Sequence, residues 1–244
     1  MTHRVLMIAR LFAALLAVLL TSSPAQAQLD QLLKGLGVGV PSGLSDAKIG
    51  AGLKQALEVA TGNAVSSTGR VDGYLTNQAI KILMPEKLRA VERGLRTVGF
   101  GSQVDEFVVS MNRAAERAAP SAKQIFLDAI AGMTFDDARK ILNGGDTAVT
   151  EFFKAKSTDK LTAAFRPVVD QAMNEVGVAR QYNELVGRFQ AIPFARAEAF
   201  DLDGYVVQKG LDGLFHVVGE QERLIRTDPA ARIADLLKEV FTKR

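Results

Sequence analysis

Two groups of polar residues hold most of the chemistry this chain could perform. Asn112, Arg113 and Glu116 sit beside the apolar Met111 and Ala115, and Asn143, Gly144, Gly145, Asp146 and Thr147 form a continuous run, with Asn183 and Glu184 further on. If helices carried some of these to one corner they would form a hydrogen-bonded cluster, and a carboxylate pair such as Glu116 and Asp146 could serve as general acid and base in a hydrolysis. Spacing alone leaves that convergence open. The competing reading is architectural: buried amides and carboxylates fix helix register, and the Asn-Gly-Gly-Asp-Thr run turns one helix into the next, its glycines adopting a left-handed C-cap. A helix start after Thr147 could also present backbone N–H groups to an anion, although Asp146 at the cap would repel it. We favour the architectural reading.

Residue types remove several other chemistries. There is no cysteine, and the two histidines are His3 and His216. Cys-His nucleophile pairs and His-rich zinc or iron sites are therefore out of reach, and neither a metal site nor a cofactor is expected. His216 follows Leu214-Phe215 in a helical pattern and reads as a partly buried or surface residue. No G-x-S-x-G elbow accompanies it. The run Asp201-Leu-Asp203-Gly204 hints at a calcium loop, but with Gly204 at position six, Ala199 and Gly210 fall at the two positions that need acidic ligands. No G-x-x-x-x-G-K-[ST] phosphate loop is present.

The first residues read as an export leader: Arg4 and Arg10, an apolar run from Leu11 to Leu20, then Pro24-Ala25-Gln26-Ala27, an A-x-A cleavage signal. Cleavage is expected after Ala27, giving domains of 1–27 (signal peptide), 28–43 (N-terminal arm with a Gly-rich hinge) and 44–244 (helical domain). The apolar run is shorter than the roughly 20 residues of a membrane span, so no span is expected after cleavage and the protein is expected in the periplasm. The net charge of +3 is mostly leader: 30 Lys+Arg less Arg4 and Arg10 leaves 28, against 27 Asp+Glu. A nucleic-acid binder's basic footprint is missing. A cysteine-free exported chain must be held by packing rather than disulfides.

Helices must position the polar residues. Ser45 is read as the cap of a long helix with the stripe Ile49, Leu53, Ala56, Leu57, Ala60 and Ala64. The stretch from Val71 to Met84 is the one place with strand-like alternation, and a small hairpin could form there. Pro85 suits the first turn of a helix carrying Leu88, Val91, Leu95 and Val98. The next stripe, Val104, Phe107, Met111 and Ala115, should halt or kink at Pro120. Gly132 stops the following helix, and Thr134 with Asp137 makes a T-x-x-D capping box for a short one. Asp146 or Thr147 should cap the helix bearing Phe152 and Phe153. Pro167 should kink or split the next stripe and Gly177 should end it. A helix from Val178 to Phe189 closes at Pro193, Asp201 or Asp203 caps a long helix ending near Thr227, and Ile233 to Phe241 forms a last amphipathic helix. The expected class is all-α, a single compact orthogonal bundle.

Five ordered motifs carry a family resemblance: Leu44-Ser-Asp-Ala-Lys-Ile-Gly-Ala-Gly-Leu-Lys-Gln-Ala-Leu57, Met111-Asn-Arg-Ala-Ala-Glu-Arg-Ala-Ala-Pro120, Ile141-Leu-Asn-Gly-Gly-Asp-Thr-Ala148, Tyr182-Asn-Glu-Leu-Val186 and Leu211-Asp-Gly-Leu-Phe215. Together they resemble the bacterial family catalogued as domain of unknown function 4197. The resemblance implies an exported, mostly helical protein of Gram-negative bacteria and brings no activity or catalytic residue with it. The functional reading is thus a non-catalytic exported helical protein that binds or scaffolds an envelope protein or an amphipathic small molecule. A periplasmic hydrolase using a carboxylate pair near the central corner is the alternative.

Overall fold

The computed structural model of the protein describes residues 46–175, 178–190 and 200–227. Among these, the regular structure is helical: α1 (Asp46–Gly69), α2 (Arg89–Thr97), α3 (Gly101–Ala118), α4 (Ala122–Ala131), α5 (Phe135–Asn143), α6 (Ala148–Glu175), α7 (Val178–Gln190) and α8 (Leu202–Thr227), with 3-10 turns at Glu86–Leu88 and Ala119–Ser121. The chain is all-α, as its periodicity demands. The leader, the 28–43 arm, the Ser45 cap, the Gly177 stop, the Pro193 closure and the helix through Phe241 lie outside the described residues.

The apolar stripes meet in one connected core. α8 runs through its middle, against α6, α1 and α3, because three sides of it are apolar: Val206, Leu214 and Val218 are completely buried, and Leu211 and Phe215 nearly so. Phe126 of α4 makes edge contacts with Phe153 of α6 and Phe215 of α8 at centroid distances of 5.0 and 6.3 Å, the arrangement that ring quadrupoles favour. Each of these aromatic side chains contributes about 1.5–3 kcal/mol by leaving water.

Local signals set most of the boundaries. Thr134 accepts from the Asp137 N–H while Asp137 accepts from the Thr134 N–H, the reciprocal box that starts α5. Pro120 lies in the 3-10 turn that separates α3 from α4. The Asp201 side chain accepts from the Gly204 N–H at 3.0 Å, which starts α8. Gly99 takes the left-handed conformation, φ 91°, just past α2, and so lets the Phe100 N–H reach back to the Leu95 carbonyl at 2.9 Å.

Four expectations need correction. Gly144 ends α5 at φ −79°, ψ 172°, outside the left-handed region. Glycine is required there for room instead, since a Cβ would stand 2.5 Å from the Ala148 Cβ and 2.8 Å from the Lys140 carbonyl oxygen. Pro85 precedes the 3-10 turn with φ −54°, ψ 144°, one step ahead of a helical first turn. Of the two outcomes expected at Pro167, a kink or a split, the split does not occur, since α6 runs unbroken through it. The hairpin between 71 and 84 is replaced by turns, for a reason that lies in α3.

Candidate functional site

Strand pairing would have satisfied the backbone of residues 71–84; local turn bonds, such as the Thr76 N–H to the Asp72 carbonyl, and two side chains of α3 do it instead. Glu116, 3% exposed, accepts the Tyr74 and Leu75 N–H groups on one carboxylate oxygen at 3.1 and 3.3 Å. Its other oxygen accepts from Arg113 at 2.6 Å, and Arg113 donates onward to Asp72 at 2.6 Å. Asp72 is held in the left-handed region at φ 66°, which a short polar side chain tolerates better than most. Asn112, fully buried, mimics a strand partner: its Oδ1 accepts the Ile82 N–H at 2.9 Å and its Nδ2 donates to the Ile82 carbonyl at 2.8 Å. Asn112, Arg113 and Glu116 thus act together as the clamp of a non-helical strap, residues 70–84.

Tyr74 anchors the strap from the other side. Its ring lies against α8 where Gly213 leaves space, a Cβ there falling 2.6 Å from the ring, and its hydroxyl donates to the Gly210 carbonyl at 2.6 Å. Burial, reinforced by the nearby Glu116 carboxylate, pushes the Tyr74 phenol far above its ordinary range, so it serves as a neutral donor.

The Asn143–Thr147 corner is built differently. Asn143, Gly145, Asp146 and Thr147 are exposed. The N–H groups just beyond it meet an anion from within the chain: Glu222 of α8, 1% exposed, accepts from the Val149 and Thr150 N–H groups at 3.0 Å each and from the Thr150 hydroxyl at 2.9 Å. Arg226 donates to the same carboxylate at 2.9 Å and to the Ile141 carbonyl at 3.2 Å. Glu222 therefore supplies at the start of α6 what Asp146 or Thr147 was expected to supply. Glu222 and Tyr74 were both missed, although Glu222 falls in phase with Leu211, Phe215 and Val218, where a charge needs a buried partner. Asn183 and Glu184 stand exposed on α7, Glu184 paired with Arg188 at 2.6 Å.

Three clefts adjoin along the outer side of α8, all bordered by Asp212. The largest, about 540 Å³, lies between the strap and α8. The others, about 380 and 350 Å³, follow the seam between α6 and α8 and share Lys154 and Phe215. Asp146 and Thr147 border the 380 Å³ cleft with His216, Glu220 and Arg223, whereas Glu116 borders none of the three. Among the described residues no group of three or more His, Cys, Asp or Glu could hold a metal ion, and no helix is long and apolar enough to cross a membrane.

Near the start of α8, burial first, then the Asp170 and Asp201 charges, raise the Asp203 carboxyl above its usual value, with Arg166 opposing. A group raised in the folded state stabilises fully below its unfolded pKa, near 3.9, and loses that stabilisation as pH rises through the folded value. The stability of Asp203→Asn relative to the parent is therefore expected to improve between about pH 3 and 7, by less than about 1 kcal/mol because solvent screens the group. Thermal melts across that range check it, and an advantage shrinking with pH would contradict it.

A family model described as "Protein of unknown function (DUF4197)" matches residues 43–242. No curated protein and no solved structure matches the chain.

Proposed function

The chain belongs to the DUF4197 family, whose description names no activity, and we propose that it is a non-catalytic binding module acting outside the cytoplasm, with an amphipathic small molecule held against the outer side of α8. One observation carries the reading: the buried polar side chains able to do acid–base chemistry are engaged by the fold, while the cleft between strap and α8 opens elsewhere. Glu116 and Asn112 hold the strap backbone and Glu222 holds the start of α6. A general acid or base needs a free proton site facing the substrate, and Glu116 has both oxygens occupied away from any described cleft. The cleft between strap and α8 lies within the roughly 300–1,000 Å³ of small-molecule sites. Its walls mix Ile80, Leu83, Met84 and Tyr205 with charged groups at the rim, and Leu83 is turned outward at 57% exposure. Export rests on the leader-like residues 1–27.

Native mass spectrometry of the protein recovered from its own host tests this reading. The expected species begins at Gln28 and carries a releasable ligand, which Ala79→Trp, an exposed cleft-wall position, displaces without lowering the melting temperature. A ligand-free monomer that hydrolyses a model ester or glycoside, with the activity lost in Asp146→Asn, would overturn it.

A further inference from the structure

We infer that the ligand of the strap–α8 cleft is an amphipathic anion, a single carboxylate or phosphate head on an apolar tail; this deepens the binding reading and rests on it. The rim holds three cations, Lys81, Arg89 and Lys209, against two carboxylates, Glu86 and Asp212. Both carboxylates are already matched by a cation one helical turn away: Arg89 lies 3.3 Å from Glu86, and Lys209 lies 3.6 Å from Asp212. His216, at the far end, lies 3.5 Å from Glu220. Lys81 has no ion pair among the described residues, so the rim carries one uncompensated positive charge, placed on the strap.

Beside those charges the lining carries an apolar part. Tyr205 presents its ring there and donates its hydroxyl to the Leu83 carbonyl at 3.0 Å, which removes both polar groups from competition for a ligand. Leu83 is the exposed apolar side chain of the lining, and Ile80 and Met84, both buried, also border it. An anionic head would meet Lys81 and Lys209 at the mouth, and its tail would cover the Leu83 side chain. A cationic head would meet the same rim unfavourably, because no carboxylate there lacks a partner. Apolar contact with Leu83 adds to the affinity in such a cleft and charge supplies the discrimination.

Calorimetric titration of the full chain with four probes below their micelle concentrations, namely dodecanoate, dodecyltrimethylammonium, dodecyl maltoside and acetate, tests this. Dodecanoate is expected to bind at least about tenfold more tightly than the cationic or neutral amphiphile, and acetate too weakly to measure. In Lys81→Glu/Lys209→Glu, one half-buried and one exposed position, that order should invert for dodecanoate and dodecyltrimethylammonium. Equal binding of all three amphiphiles, or preference for the cation, overturns the anionic assignment and leaves the binding reading standing. Acetate binding as tightly as dodecanoate overturns the amphipathic part. If no amphiphile binds, and the protein from its host carries none, both inferences fall together.

Discussion

Replacing Glu222 by Ala is expected to lower the unfolding free energy by about 3–5 kcal/mol, a large share of the whole stability of such a domain. The carboxylate is 1% exposed and receives two backbone N–H groups, the Thr150 hydroxyl and the Arg226 guanidinium. Its loss leaves two buried donors at the start of α6 without an acceptor, each costing about 1–3 kcal/mol, and takes from Arg226 its carboxylate partner while the Ile141 carbonyl remains. The positive end of the α6 dipole also loses its counter-charge, worth up to about 2 kcal/mol when partly buried. Gln at 222 should fall between, since its carbonyl can still accept from one N–H while its amide opposes the other. Urea unfolding of the three proteins checks the order Glu, Gln, Ala. An Ala variant within about 1 kcal/mol of the parent would show that water takes over the Val149 and Thr150 amides.

Glu116→Ala is expected to cost about 2–4 kcal/mol, with a local signature that Glu222→Ala lacks. The Tyr74 and Leu75 N–H groups lose their acceptor, and Arg113 keeps only Asp72. Because the strap has no ladder of its own, its amides should lose hydrogen-exchange protection before those of α3 or α8. Gln at 116 preserves an acceptor for the two N–H groups and gives up the charged contact with Arg113, a loss of about 1–2 kcal/mol. Those two readouts separate architecture from chemistry. A Gln variant of unaltered stability and protection that had lost a hydrolytic activity would assign Glu116 to catalysis.

Much of this fold was legible because its elements announce themselves locally. Thr134 and Asp137, Pro120, Gly132 and Asp201 set boundaries through interactions spanning three or four residues, and the apolar stripes named which sides turn inward. What could not be read was any interaction that pairs distant positions. Asn112 meets Ile82 across 30 residues and Glu222 meets Val149 across 73, and periodicity carries no information on which helix lies beside which. The alternation of Ile80, Ile82 and Met84 was real, since all three are buried. It misled about secondary structure because the residue pairing with that backbone turned out to be a helix side chain. Of the polar residues singled out, Asn112, Arg113 and Glu116 do meet one another and the strap, and Asp146 with Thr147 borders a cleft, but the two groups serve different places. The corner glycine shows the same limit: Gly144 is needed, yet for the volume next to Ala148 rather than for a backbone angle.

The strap's dependence on α3 has an evolutionary corollary. A β-ribbon can lengthen only in pairs of residues, since a single insertion turns every later side chain to the opposite side. The strap obeys no such period. It is pinned at Tyr74 and at Ile82, and the exposed Gln78 and Ala79 lie between those pins. One residue more or fewer there would reshape the mouth of the neighbouring cleft while the helices beneath stayed as they are. A scaffold of this kind can diversify what it holds by editing a few surface codons.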